Sequence, residues 1–198
     1  MSSIIDISYF KGDILIPQVS TPAITEAVNR YISIYEPEYL QNVLGYKMSR
    51  DFIAGLAVVS PAVVDPKWID LRDGKEFTDP VTNRLTKWRG FKNTAQLSPI
   101  ANYIYYMYRK DNVTQTGGIG ETITQAENSV VVSPARKMTL AWNQQVAWTK
   151  ILWNFLFANM TTYGLTSADF GPYPSNPLAQ YPIDADIFSM YTINDFDA

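Results

Sequence analysis

The sequence predicts a mainly α-helical fold: a bundle of about four helices with a small β-hairpin, extended N-terminal and internal arms, and an extended C-terminal tail. Three observations point there. Thr21-Pro22, Ser98-Pro99 and Ser133-Pro134 each set a capping hydroxyl and a first-turn proline before a run of helical periodicity. Met138, Ala141, Gln145, Trp148, Leu152 and Phe155 recur at alternating steps of three and four, a single continuous helical stripe. After Gly164, by contrast, Pro172, Pro174, Pro177 and Pro182 forbid a long helix.

The elements follow in order. Residues 1–20 read as an extended arm: Ile5, Ile7 and Tyr9 alternate, Lys11-Gly12-Asp13 marks a turn, and Ile14-Leu15-Ile16 stops at Pro17. A small hairpin or an arm laid on a neighbour fits that pattern. The bundle proper spans residues 21–163. Its first helix shows Ile24, Ala27, Val28, Tyr31 and Ile32 on one face, and a second begins at Glu36-Pro37 and ends at Gly55, the two forming a helical hairpin. Gly45 interrupts the second helix and marks close packing or a bend. Residues 66–73 make a short helix closed by Gly74, and residues 75–90 a projecting β-hairpin around Asp79-Pro80-Val81-Thr82-Asn83. The helix that opens at Ser98-Pro99 is apolar or aromatic almost all round, which makes it central. Residues 114–132 form a glycine-containing arm; without a following Gly-Lys-Ser/Thr it is no phosphate loop. The last helix runs from Ser133-Pro134 to about Met160, and Trp142, Val146, Trp153 and Phe157 add a second stripe.

Composition bounds the chemistry. The 198 residues include 5 Trp, 13 Tyr and 9 Phe, a density that suits surfaces buried on association as well as cores. With no Cys and no His, thiol nucleophiles, thiolate metal sites and the commonest general base are absent, so catalysis would rest on Asp, Glu, Lys, Tyr, Ser or Thr. The close carboxylate pairs, Asp184/Asp186 and Asp195/Asp197, lack the glycine turn and terminal Glu of a calcium loop. Lys150, amid Trp148, Ile151 and Trp153, reads as a snorkelling side chain rather than a nucleophile. We expect no enzyme activity, no cofactor and no metal site. The N-terminus lacks a basic, apolar signal pattern, and the most apolar run, residues 151–157, is too short to cross a bilayer. Charge is segregated. Residues 164–198 carry five Asp and no Lys or Arg, whereas the rest carries 16 basic and 14 acidic residues without a basic stripe.

A series of motifs adds a resemblance. Tyr35-Glu36-Pro37-Glu38-Tyr39-Leu40, Leu44-Gly45-Tyr46, Trp68-Ile69-Asp70-Leu71-Arg72-Asp73-Gly74 and Trp88-Arg89-Gly90-Phe91 are followed by Ser98-Pro99-Ile100-Ala101, Thr114-Gln115-Thr116-Gly117-Gly118-Ile119-Gly120-Glu121 and Ser133-Pro134-Ala135-Arg136-Lys137-Met138. Over residues 30–150 the chain resembles small virion proteins of tailed phages of Bacteroides-like gut bacteria, including crAss-like phages. In plan it is similar to head–tail connector (adaptor) proteins, helical bundles with long arms. The resemblance implies a homo-oligomeric ring, usually of twelve copies, beneath the portal in the virion neck. It implies contacts with the portal protein and other neck or tail proteins, synthesis in the host bacterial cytoplasm, and no membrane. DNA passes through such a ring, so tight nucleic-acid binding is not expected. A non-virion assembly or binding module and, behind it, a carboxylate-dependent hydrolase are the alternatives. On the connector reading, the contact residues are Tyr105 and Tyr108 of the aromatic helix, Gly117, Gly118 and Gly120 of the arm, Trp153 and Phe157 of the last helix, and Tyr173, Tyr181, Phe188, Tyr191 and Phe196 of the tail, which orders only on a neighbour or partner.

Overall fold

The computed structural model describes residues 3–58, 63–112 and 135–165, together with the backbone of 115–117 and 120–122. Mainly helical architecture is what it shows. Five helices, α1 (Pro22–Leu44), α2 (Tyr46–Leu56), α3 (Pro66–Asp73), α4 (Pro99–Asn112) and α5 (Ala135–Ala158), combine with an antiparallel hairpin of β1 (Lys75–Thr78) and β2 (Leu85–Trp88). A second pair, β3 (Gln115–Gly117) and β4 (Gly120–Thr122), sits within the glycine-containing segment, Gly117 opposite Gly120.

α4 packs against both α1 and α5, as its all-round apolar character requires. Ile100, Ala101, Tyr103, Ile104 and Tyr105 are all buried. Both stripes of α5 reach the core through Ala141, Trp142, Gln145, Val146, Leu152, Trp153 and Phe155, with Met138, Trp148 and Phe157 half-buried at the edges. Among the described residues the aromatic side chains are largely internal. Ring centroids between 5.2 and 6.5 Å apart link Tyr108, Tyr31, Tyr35, Tyr103, Tyr39, Phe91, Phe52 and Trp68 into one path through the molecule. Offset and edge-on pairs of this kind add about 0.5–1.5 kcal/mol each beyond the area they bury. The polar tips are also accommodated: Trp153 Nε1 donates to the Val43 carbonyl and Trp88 Nε1 to the Leu71 carbonyl, each 2.9 Å. Both carbonyls lie in the last turn of a helix, where no intrahelical donor remains for them.

Two expectations are corrected. The first helix does not stop before Glu36-Pro37; α1 continues through Pro37 and breaks at Gly45, whose φ of 77° suits glycine alone. An interior proline forfeits one backbone bond and crowds the preceding turn. Here Val28 and Ile32 on one side of it, and Tyr39, Leu40, Val43 and Leu44 on the other, all enter the same core and hold the helix together. The N-terminal segment is likewise no extended arm. Two 3₁₀ turns, Ile7–Tyr9 and Gly12–Ile14, fold it back so that Ile4, Ile5, Tyr9, Phe10, Ile14 and Ile16 join the chain's own core.

Glu36 explains the fold-back. Its buried carboxylate accepts from the Ile4 N–H at 3.0 Å, the Ile5 N–H at 3.1 Å and the Ser3 hydroxyl at 2.8 Å. Burial pushes its carboxyl above the ordinary value, and those three hydrogen bonds only partly offset the push. The motif glycines Gly74 and Gly90 meet back to back across the molecule. A Cβ at Gly74 would lie 2.3 Å from the Trp88 carbonyl oxygen, and one at Gly90 2.4 Å from the Arg72 oxygen. The end of α3 and the exit of β2 therefore cross at glycine–glycine distance, and the Lys92 N–H donates to the Arg72 carbonyl at 2.7 Å to fasten the crossing.

Candidate functional site

The residues expected to make contacts fall into three groups. Tyr105 and Trp153 are 1% and 6% exposed and belong to the chain's own core, so the contact role expected for their side chains is corrected. Tyr105 lies on the buried helix α4, and Trp153 turns from α5 to α1, where it donates to the Val43 carbonyl. Tyr108 and Phe157 are half-buried at the core's margin. Tyr108 stands edge-on to Tyr31 at 5.2 Å, whose hydroxyl donates to Asp111 Oδ2 at 3.0 Å. This leaves an aromatic corner at the end of α4 partly exposed. Gly117 and Gly120 pair across the β3–β4 turn, whereas Gly118 and the tail residues Tyr173, Tyr181, Phe188, Tyr191 and Phe196 lie outside the described residues.

The hairpin is anchored rather than loosely projecting. Asp79 is buried, and its carboxylate accepts from the Val81 N–H at 2.8 Å, the Thr82 N–H at 3.0 Å and Asn154 Nδ2 of α5 at 3.0 Å. Burial alone would raise its pKa, but the hydrogen bonds from Thr82, Val81 and Asn154 outweigh it and hold the group below the ordinary carboxylate value. The loop is thus turned by its own first residue and tied to the last helix.

A surface that the sequence reading missed lies beside this hairpin. Arg72 at the end of α3, Lys87 of β2, and Arg89 and Lys92 just after it line an open cleft of about 670 Å³, with Asp73 as the one acid in its wall. Asp73 is already engaged by Arg72 in a two-pronged pair, both contacts 2.7 Å. Lys87 and Lys92 are exposed and make no ion pair with any described residue. The Arg89 guanidinium sits 6.0 Å from the Trp148 ring centroid, and Leu97 gives the cleft an apolar edge. The spacing Lys87-x-Arg89-x-x-Lys92 was the available signal, but no stripe emerges until α3 brings Arg72 alongside. A second opening, about 780 Å³, lies between the N-terminal segment, α1 and α2; it is mostly apolar with Asp6 and Glu36 in its wall.

Among the described residues no group of three or more His, Cys, Asp or Glu is placed to hold a metal ion, and no helix is long and apolar enough to cross a membrane. Lys150 is exposed on α5. Compared with known proteins, the chain matches no family model, no curated protein and no solved structure.

Proposed function

We propose that this chain is a structural protein of a tailed-phage virion, forming a ring in the head–tail connector beneath the portal. One observation carries the reading. The motifs behind the resemblance are packing determinants: Glu36 pins the N-terminal segment, Gly45 sets the α1–α2 break, and Gly74 and Gly90 permit the α3–β2 crossing. A signature made of packing nodes is that of a scaffold held in shape for assembly, whereas an enzyme's signature concentrates reactive groups in one cleft. The aromatic corner at Tyr108 and the segment 164–198, with its five Asp and six Phe and Tyr, then supply contacts to neighbouring copies and to the portal.

Quantitative mass spectrometry of purified virions tests this. A copy number fixed relative to the portal, near one ring per particle, is expected. Absence from virions overturns the reading and favours a non-virion assembly module. Mass measurement of the free chain and of a chain–portal mixture is the companion test; a chain that stays monomeric in both is no ring component.

A further inference from the structure

The basic cleft and the acidic tail complement each other in two respects, and we propose that in the free chain residues 184–197 dock into that cleft on the same molecule. The first respect is charge. The cleft gathers Arg72, Lys87, Arg89 and Lys92 around one lining acid, Asp73, which Arg72 already engages; outside the wall, Asp6 lies within the field of Lys92, which leaves the cations in excess. The segment holds Asp184, Asp186, Asp195 and Asp197 with no cation, in a chain whose tail is −5 against a body of +2. The second is the mixture of chemistries. Leu97 and the Trp148 ring beneath Arg89 give the cations an apolar border, and Ile187, Phe188, Tyr191 and Phe196 stand between the acids. The mostly apolar opening beside α1 is the poorer receptor. Arg50 is the one cation in its wall and is paired with Asp51 at 2.8 Å, and Asp6 and Glu36 stand there too, so it offers an acidic segment less charge complement than the four-cation cleft.

The position of the tail's origin selects the same molecule rather than a second copy. Tyr163, two residues before the last one described, donates its hydroxyl to Asp70 Oδ2 at 2.9 Å. Asp70 lies on α3, which ends in Arg72 and Asp73 of the cleft wall. The 18 residues from 166 to 183 span up to about 60 Å when extended, ample to reach the cleft from there. A tether of that length gives an effective concentration on the order of millimolar, well above that of another free chain. The docking does not rest on the connector reading. Within a ring, the tail would leave its own cleft for a neighbour's surface, an exchange of identical elements between copies.

Zero-length carbodiimide coupling of the full-length chain, mapped by mass spectrometry, tests the proposal, because it joins only amines and carboxylates in contact. We expect Asp184, Asp186, Asp195 and Asp197 to couple chiefly to Lys87 and Lys92, with yields that fall in 1 M salt, where the screening length is about 3 Å. Arg72→Glu with Arg89→Glu leaves both lysines in place. With exposed ion pairs each worth a factor of about 1.5–5, the loss of two lowers those yields by roughly 2-fold to 25-fold. Should that variant fail to fold, the salt series on the unaltered chain still decides. In an equal mixture of light and isotopically heavy chains, coupled pairs should be all light or all heavy. Mixed pairs, or coupling spread evenly onto Lys11, Lys47 and Lys67, overturn the proposal. So does a short DNA duplex that shields Lys87 and Lys92 from acetylation at physiological salt, which assigns the cleft to nucleic acid. These readouts use the free chain without portal, so failure of the connector reading leaves them unaffected.

Discussion

At the scale of single residues, the sequence showed where aromatics and prolines stand but not what each charge does. Glu36 looked like an acid at a helix start, favoured there by the backbone dipole. In the structure it lies inside α1 and holds the N-terminal segment by its backbone, an interaction between residues 32 apart that no local pattern encodes. Glu36→Ala leaves two buried N–H groups unpaired and should cost about 2–3 kcal/mol by urea denaturation, with residues 3–16 becoming protease-sensitive. pH separates the charge from the hydrogen bonds. Because burial raises the folded-state pKa above the ordinary 4.5, the folded chain binds more protons there than the unfolded chain. The contribution is therefore fully present below pH 4.5 and is lost as pH rises through the raised folded value. The Glu36→Gln variant cannot titrate at this position. The stability of the unaltered chain minus that of the Glu36→Gln variant should fall across that window, and a flat difference shows that the buried charge costs nothing.

At the scale of elements, α3, α4, α5 and the β1–β2 hairpin were legible, because each has its own start signal, period or turn chemistry. Two elements were misread for one reason. Tertiary contacts outweighed local punctuation: the core on both sides of Pro37 kept α1 whole, and Glu36 and the core drew in Ile5 and Tyr9, with Ile7–Tyr9 turned into a 3₁₀ turn behind the Asp6 cap. The hairpin's attachment was also invisible, since Asp79 and Asn154 are 75 residues apart. Asp79→Ala removes three hydrogen bonds to a buried carboxylate and should destabilise the chain by about 2–3 kcal/mol. Hydrogen exchange checks whether the loss is local: amides of 75–78 and 85–88 should lose protection before those of α4. The acid dependence runs opposite to that of Glu36. With its folded pKa held below 3.8, the contribution of Asp79 is present above that value and is lost as pH falls through the lowered one. Unfolding below pH 3.8 should accordingly begin at the hairpin.

At the scale of the whole molecule, the sequence places an acidic run in residues 164–198 and the structure gathers four cations in one cleft. The tail's acidity was plain in the sequence, whereas the basic cleft was not, because its four cations come from the end of one helix, a strand and the loop after it. That cleft sharpens the expectation about DNA. The chain carries −3 overall, and the cleft offers a duplex a patch of only four cations; the docking proposed above would set the acidic segment against it as a competitor. Neutralising four phosphates gives a salt slope of about −3.6 in log–log terms, so affinity falls by roughly two orders of magnitude between 50 and 200 mM salt. The proposed connector role would benefit from this weakness, since tight binding would arrest a duplex passing through the ring. We expect fluorescence anisotropy with a 20-base-pair duplex to give a Kd weaker than about 10 μM at physiological salt, in the weaker half of ordinary non-specific binding. The variant Asp184→Asn/Asp186→Asn/Asp195→Asn/Asp197→Asn removes the competing anion and should bind more tightly, with a slope no steeper than that of four contacts. Submicromolar binding by the unaltered chain overturns the expectation, because a patch of four cations does not supply it. Equal affinity of the variant and the unaltered chain would show that the tail does not screen the cleft.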